Sequence, residues 1–136
     1  MRPRVIGFDF DDTLFMMGPN YAIGEPIHAN IEVLKRLFDE GNVIIVWSGR
    51  KADEINKHLQ GFNIPCHRIN NMELIKVDIP KTPSGKPNWD VFVDDKNVNP
   101  QEHESGAGLY DRILQTIELQ DRLHALRGGD ANTGKG

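Results

Sequence analysis

Apolar residues come in short unbroken blocks separated by longer patterned stretches. The blocks are Val5-Ile6-Gly7-Phe8, Val43-Ile44-Ile45-Val46-Trp47 and Val91-Phe92-Val93, with a weaker one over Ile64–Ile69 that contains Pro65. Each is too short for a helix and rich in β-formers, so each reads as a strand buried on both faces. Pro65 weakens the third, because proline cannot donate to a sheet ladder. Between the first two blocks, Ile27, Ile31, Leu34 and Phe38 recur at helical spacing, with Leu37 widening the stripe. Pro26 suits the first turn of that helix and Gly41 its C-terminal cap. A second helix carries Ala52, Ile55 and Leu59 on one face, and a last one runs from Leu109 to Arg127. Gly18-Pro19-Asn20 and Gly24 mark residues 15–25 as a loop. Residues 70–88, with Pro80, Pro83, Gly85 and Pro87, are the least regular part, and a loop precedes the last helix.

Alternating strands and helices predict an α/β fold with a mainly parallel sheet. Right-handed crossovers place the first three strands side by side. A fourth strand pairing with the first gives the order 3-2-1-4, which opens a topological switch point between strands one and four. Both early helices then lie on one face. The link between strands three and four is too rich in Pro and Gly to supply a helix. The last helix, through Leu109, Ile113, Ile117 and Leu123, is therefore expected to cover the second face. Its leftover Leu114, Leu119 and Leu126 offer a rival use, pairing with another subunit.

Composition adds bounds. The 136 residues suffice for one domain, 1–127, followed by a Gly-rich polar tail, 128–136, expected to be disordered. A net charge of −4 supplies no global field toward nucleic acid or membrane. Cys66 is the single cysteine, so no intrachain disulfide can form, which fits a reducing compartment. No apolar run is long enough to span a bilayer and no signal-peptide pattern is present; a cytoplasmic location is expected. The five histidines show no zinc spacing.

The first strand runs into Asp9-Phe10-Asp11-Asp12-Thr13. Ligands bind at the carboxyl ends of parallel strands. Carboxylates crowded there repel one another unless a cation joins them, and magnesium is the usual guest of hard oxygen donors. The fourth strand ends in another acid pair, Asp94-Asp95, and the second in Ser48-Gly49-Arg50.

This set resembles the signatures of the haloacid dehalogenase-like (HAD) phosphohydrolases, in order, over Asp9 to Asp95. The first is Asp-x-Asp-x-Thr/Val after a hydrophobic strand; many relatives carry Gly where this chain has Asp12. The resemblance implies a Rossmann-like core and phosphomonoester hydrolysis through an aspartyl-phosphate. Asp9 would be the nucleophile, Asp11 the general acid and base, and Thr13 would order the loop. Ser48 and Gly49 would bind phosphoryl oxygens. Arg50 is either a phosphate contact or a solvated residue at a helix start. The third signature is a lysine, for which Lys86 is first choice and Lys81 second. Mg²⁺ would be held by Asp9, Asp11 through its backbone carbonyl, and the Asp94-Asp95 pair, with Asp95 favoured as the direct ligand. Neither gap where relatives insert a cap domain can hold one here. The chain therefore resembles the capless group, including small capsule-sugar phosphatases and phage-encoded hydrolases. The expected substrate is a sugar phosphate, a nucleotide or a nucleic-acid end phosphate. A capless site is open, and a cover borrowed from another subunit leaves a homo-oligomer open. Met16-Met17, beside the acids, either line a substrate pocket or pack the loop. Trp47 reads as core, and Trp89 as packing beside the active-site loop or stacking on substrate. The alternative function is a non-catalytic or regulatory module that binds phosphate and Mg²⁺ and assembles with a partner.

Overall fold

The computed structural model describes residues 3–79, 82–84, 87–94 and 106–126. It is a mixed α/β fold built on a mostly parallel sheet. In chain order the elements are β1 (Val5–Phe8), β2 (Phe15–Met17), β3 (Ile23–Pro26), α1 (His28–Asp39), β4 (Val43–Val46), α2 (Ala52–Gly61), β5 (Arg68–Ile69), β6 (Met72–Glu73), β7 (Val91–Val93) and α3 (Gly106–His124). The main sheet has five strands in the order β6-β5-β4-β1-β7, with only β6 antiparallel to its neighbour. Phe8 of β1 is level with Val46 of β4 and Val93 of β7. Three strand ends therefore stop at one height. The ladder continues past them, through Asp9 N–H to Val93 O at 3.2 Å and Trp47 N–H to Phe8 O at 3.0 Å.

Residues 15–25 are not the expected loop. β2 and β3 pair antiparallel across a 3-10 turn at Pro19–Tyr21, with an irregular register between Phe15 and Met17. Strands of three and four residues, the first mostly exposed and the second interrupted by glycine, leave little periodic signal. The pairing places Pro26 at the end of β3, and α1 starts two residues later, at His28, without a side-chain cap. Gly41 closes that helix as expected: its φ of +93° suits glycine, and its N–H reaches Phe38 O at 3.0 Å.

Strand alternation divides the buried residues between two faces. Ile6, Phe8, Ile44, Val46, Val91 and Val93 join one core with Ile31, Leu34 and Leu37 of α1 and Ile55 and Leu59 of α2. Leu109, Tyr110, Ile113 and Ile117 of α3 belong to that same core, beside α1. The expectation that α3 covers the second face is thus corrected. The irregular link between β6 and β7 covers that face itself: its Val77, Ile79 and Trp89, with Trp47 from just after β4, pack on Val5, Val43 and Ile45. A loop with well-placed apolar residues removes the need for a helix there. α3 instead fills the first face beside α1 and β7. Tyr110 secures it, with Arg36 stacked 3.6 Å over its ring and its hydroxyl donating to Glu40 Oε1 at 2.5 Å. The buried stripe of α3 ends at Ile117; Leu114, Leu119, Leu123 and Leu126 are exposed. Among the described residues no helix is long and apolar enough to cross a membrane. The tail, 128–136, lies outside the described residues.

Gly7 is required by the second face. A Cβ there would lie 2.5 Å from Phe92 Cδ1 and 3.0 Å from Trp89 Cε3, and those two rings stack at 4.5 Å. Neither ring can yield without losing the other, so Gly7→Ala is expected to cost about 1–3 kcal/mol, the usual range for overpacking, read as a lower urea midpoint. His67 carries a second expectation. Its Nδ1 accepts from Ile44 N–H at 3.1 Å, a role that only the neutral ring can fill, and its ring packs on Phe38 at 4.9 Å. Burial lowers its pKa below the ordinary 6.5. The folded state then binds fewer protons than the unfolded chain, so this stability is present above the unfolded value and is lost as pH falls through the lower folded value. Urea midpoints measured from about pH 7.5 down to about pH 5 should fall in the wild type and fall less in His67→Gln.

Candidate functional site

The level strand ends gather the candidate residues. Asp9 follows β1, Asp94 follows β7 on one side, and Trp47-Ser48 follow β4 on the other. Asp9 is fixed by its own loop, since one carboxylate oxygen accepts from Phe10 N–H at 2.8 Å. Past it the chain turns sharply: Phe10 O accepts from the N–H groups of Leu14 and Phe15 at 3.0 and 3.1 Å. The turn is anchored beneath by the fully buried rings of Phe10 and Phe15, stacked at 5.1 Å.

Asp12 occupies the left-handed region, with φ of +60°. That conformation suits glycine, and aspartate is among the few other residues that tolerate it. This is the position at which the resemblance described above usually has glycine. Here the side chain adds a tie, because Oδ1 accepts from Met17 N–H at 3.0 Å and so fastens β2 to the acidic turn. Asp12 N–H also donates to Phe15 O at 2.6 Å.

Arg50 is neither solvated nor loose. Its side chain is 12% exposed, and Nε lies 2.9 and 3.0 Å from the two carboxylate oxygens of Asp11. Nη2 donates to Tyr21 O at 2.6 Å, and Nη1 stands 3.6 Å from Glu54 Oε1. One guanidinium thus joins the acidic turn, the tip of the β2–β3 hairpin and the start of α2. Ser48 Oγ accepts from Arg50 N–H at 3.2 Å, and Gly49 is exposed.

Two asparagines that sequence reasoning did not single out hold the site from behind. Asn30, buried on α1, donates to Thr13 O at 2.8 Å. A polar residue on the apolar stripe beside Ile27, Ile31 and Leu34 was its visible signal. Asn70, at the turn between β5 and β6, accepts from Ser48 N–H at 2.8 Å and donates to Arg50 O at 3.0 Å. Nothing in the sequence separates it from an ordinary turn asparagine.

Met16 and Met17 are 55% and 41% exposed, so they do not pack the loop. Trp47, expected in the core, is half-buried and meets Trp89 edge-on at 6.0 Å. Lys81, Lys86 and Asp95 lie outside the described residues. Among the described residues no group of three or more His, Cys, Asp or Glu side chains is arranged to hold a metal ion. Burial pushes the Cys66 thiol up to about 12, so it is no nucleophile at neutral pH. A cavity of about 680 Å³ lies away from the acids, between Pro3, Arg4, Asn42 and the Leu114, Ile117 and Asp121 side of α3. Its Arg4 and Asp121 are spent on each other at 2.5 Å. None of Asp9, Asp11, Asp94, Ser48 or Arg50 lines that cavity.

No protein-family model and no curated protein matches the chain. A solved structure described as a conserved protein from Bacteroides thetaiotaomicron is similar in fold, with a TM-score of 0.59 and 24% identity over 84% of this chain and 92% of that one.

The acidic turn makes its own prediction. Asp12→Gly keeps the backbone angle and loses only the Met17 tie, so thermal stability should change by no more than about 1 kcal/mol. Asp12→Val forces a β-branched residue to positive φ and should cost more than Asp12→Gly, by about 1–3 kcal/mol. Equal melting temperatures for the two variants would contradict this account.

Proposed function

We propose that the chain is a Mg²⁺-dependent phosphomonoesterase of the haloacid dehalogenase-like type, without a cap domain. The observation that carries this reading is the meeting of Asp9, Asp11, Asp94 and the Ser48–Arg50 loop at one sheet edge. The order β5-β4-β1-β7 supports it, since β1 and β7 flank the switch point and both end in acids. The β2–β3 hairpin as the insertion beside the acidic turn agrees with an open, capless site.

Asp9 is the nucleophile: its carboxylate attacks phosphorus and the ester oxygen leaves, giving an aspartyl-phosphate that water hydrolyses. The hydrogen bond from Phe10 N–H to Oδ1 helps to orient that carboxylate. Asp11 donates a proton to the leaving oxygen and then takes one from the attacking water. For this Asp11 must part from Arg50, and the incoming phosphoryl group supplies the guanidinium with another anion to bind bidentately. Ser48 and the Gly49 backbone contact the remaining phosphoryl oxygens, and Lys86 neutralises charge on nucleophile and phosphate. The donor set suits magnesium, because it consists of carboxylates and a carbonyl with no sulfur or imidazole. Asp9, the Asp11 carbonyl, Asp94 and Asp95 would hold the ion. When bound it supplies positive charge beside the phosphoryl oxygens. Substrates are phosphate esters that reach an open edge: a sugar phosphate, a nucleotide or a nucleic-acid end.

The Arg50–Asp11 pair also favours a second reading. If the pair persists when phosphate binds, Asp11 cannot serve as proton carrier, and the chain is a phosphate- and Mg²⁺-binding module that works with a partner. Kinetics with a panel of phosphate esters and Mg²⁺ decide between them. Under the first reading the wild type turns over, Asp9→Asn abolishes turnover, and Asp11→Asn slows it by about a hundredfold or more. Under the second, phosphate binds and the wild type is as inactive as Asp9→Asn.

A further inference from the structure

The amide of Asn70 spans the loop that follows β4. Its Oδ1 accepts from Ser48 N–H at 2.8 Å, and its Nδ2 donates to Arg50 O at 3.0 Å. Its own backbone is pinned to the same strand, through Asn70 N–H to Val46 O at 2.8 Å. The residue sits at φ of +51°, a conformation that asparagine and glycine enter most readily. One acceptor and one donor of a single planar group thus bridge both ends of a three-residue turn whose middle member, Gly49, has only open space where a side chain would begin. Glycine contributes the greatest backbone freedom, so this turn would otherwise sample many shapes.

We infer that Asn70 is a positioning residue for the phosphate-binding loop. It fixes the backbone between Ser48 and Arg50, which sets the direction of the Ser48 hydroxyl and brings the Arg50 guanidinium to Asp11. This rests on the phosphomonoesterase reading. Only a residue with both a donor and an acceptor, at the right reach and at positive φ, meets the requirement. Aspartate keeps the acceptor for Ser48 N–H but turns a negative oxygen toward Arg50 O. Glycine keeps the turn and removes both bonds. A graded series follows in which the backbone conformation is preserved throughout.

The test uses the full chain with Mg²⁺, para-nitrophenyl phosphate as substrate and inorganic phosphate as competitor. Asn70→Gly should raise KM and the inhibition constant of phosphate together, by about tenfold, the scale of one or two lost hydrogen bonds. kcat should change less than KM. Asn70→Asp should fall between wild type and Asn70→Gly. Amide hydrogen exchange at Ser48, followed by NMR, should quicken in Asn70→Gly while amides of β1 and β4 keep their protection, a pattern that general loss of stability would not produce. Unchanged KM and phosphate inhibition in Asn70→Gly, or unchanged exchange at Ser48, would overturn the role of Asn70. A wild type that neither hydrolyses the ester nor binds phosphate would overturn the phosphatase reading instead.

Discussion

Parallel pairing of β1 between β4 and β7 is the constraint from which the candidate site follows. β1 is four residues long and buried on both faces, and every residue of it is in register with β4. Because three strands end level, whatever follows them in sequence is forced onto one edge. Acids separated by more than eighty positions, Asp9 and Asp94, become neighbours without any local device to bring them there. The two faces keep this register in different ways. One carries three helices around a continuous apolar core, and the other a layer in which Gly7 makes room for the stacked rings of Phe92 and Trp89. A slip of one residue would exchange these faces, setting Phe8 against the space that only glycine fits.

On that edge the polar groups form two tiers. Asp9, Asp11, Ser48 and Arg50, all half-buried, form the candidate site at the strand ends. Asn30 and Asn70 stand behind them and satisfy backbone groups of the turns that carry the first set. Turns at a sheet edge lose ladder partners, and a buried or half-buried amide left unpaired is costly. Side-chain amides serve because each offers both a donor and an acceptor. The arrangement makes the positions of Ser48 and Thr13 depend on residues from other elements, α1 and the β5–β6 turn.

Arg50 adds a third dependence. It links the acidic turn, the hairpin tip and α2 with one planar cation whose side chain is mostly buried. Such a group is held by several acceptors at once, so any new anion must compete with all of them. Arginine suits the place better than lysine would, since its fork of donors reaches Asp11 and Tyr21 O in different directions.

Sequence alone determined the strands β1, β4 and β7, the helices on their apolar stripes, the mainly parallel sheet and the acids at its edge. Those features are local in origin: a continuous β-rich run or a 3.6-residue stripe is written in neighbouring positions. The β2–β3 hairpin escaped because its strands are short and half-exposed, so burial never imprinted a period of two. The placement of α3 escaped for a different reason. Its stripe of Leu109, Ile113 and Ile117 is legible, but which face receives it depends on how Val77, Ile79 and Trp89 cover the other. The pairing of Arg50 with Asp11 and the bridging by Asn70 join positions 39 and 20–22 residues apart. Hydrogen bonds of that kind have no spacing rule, since their geometry exists only after the strands have set the distances; the tertiary structure alone decides them.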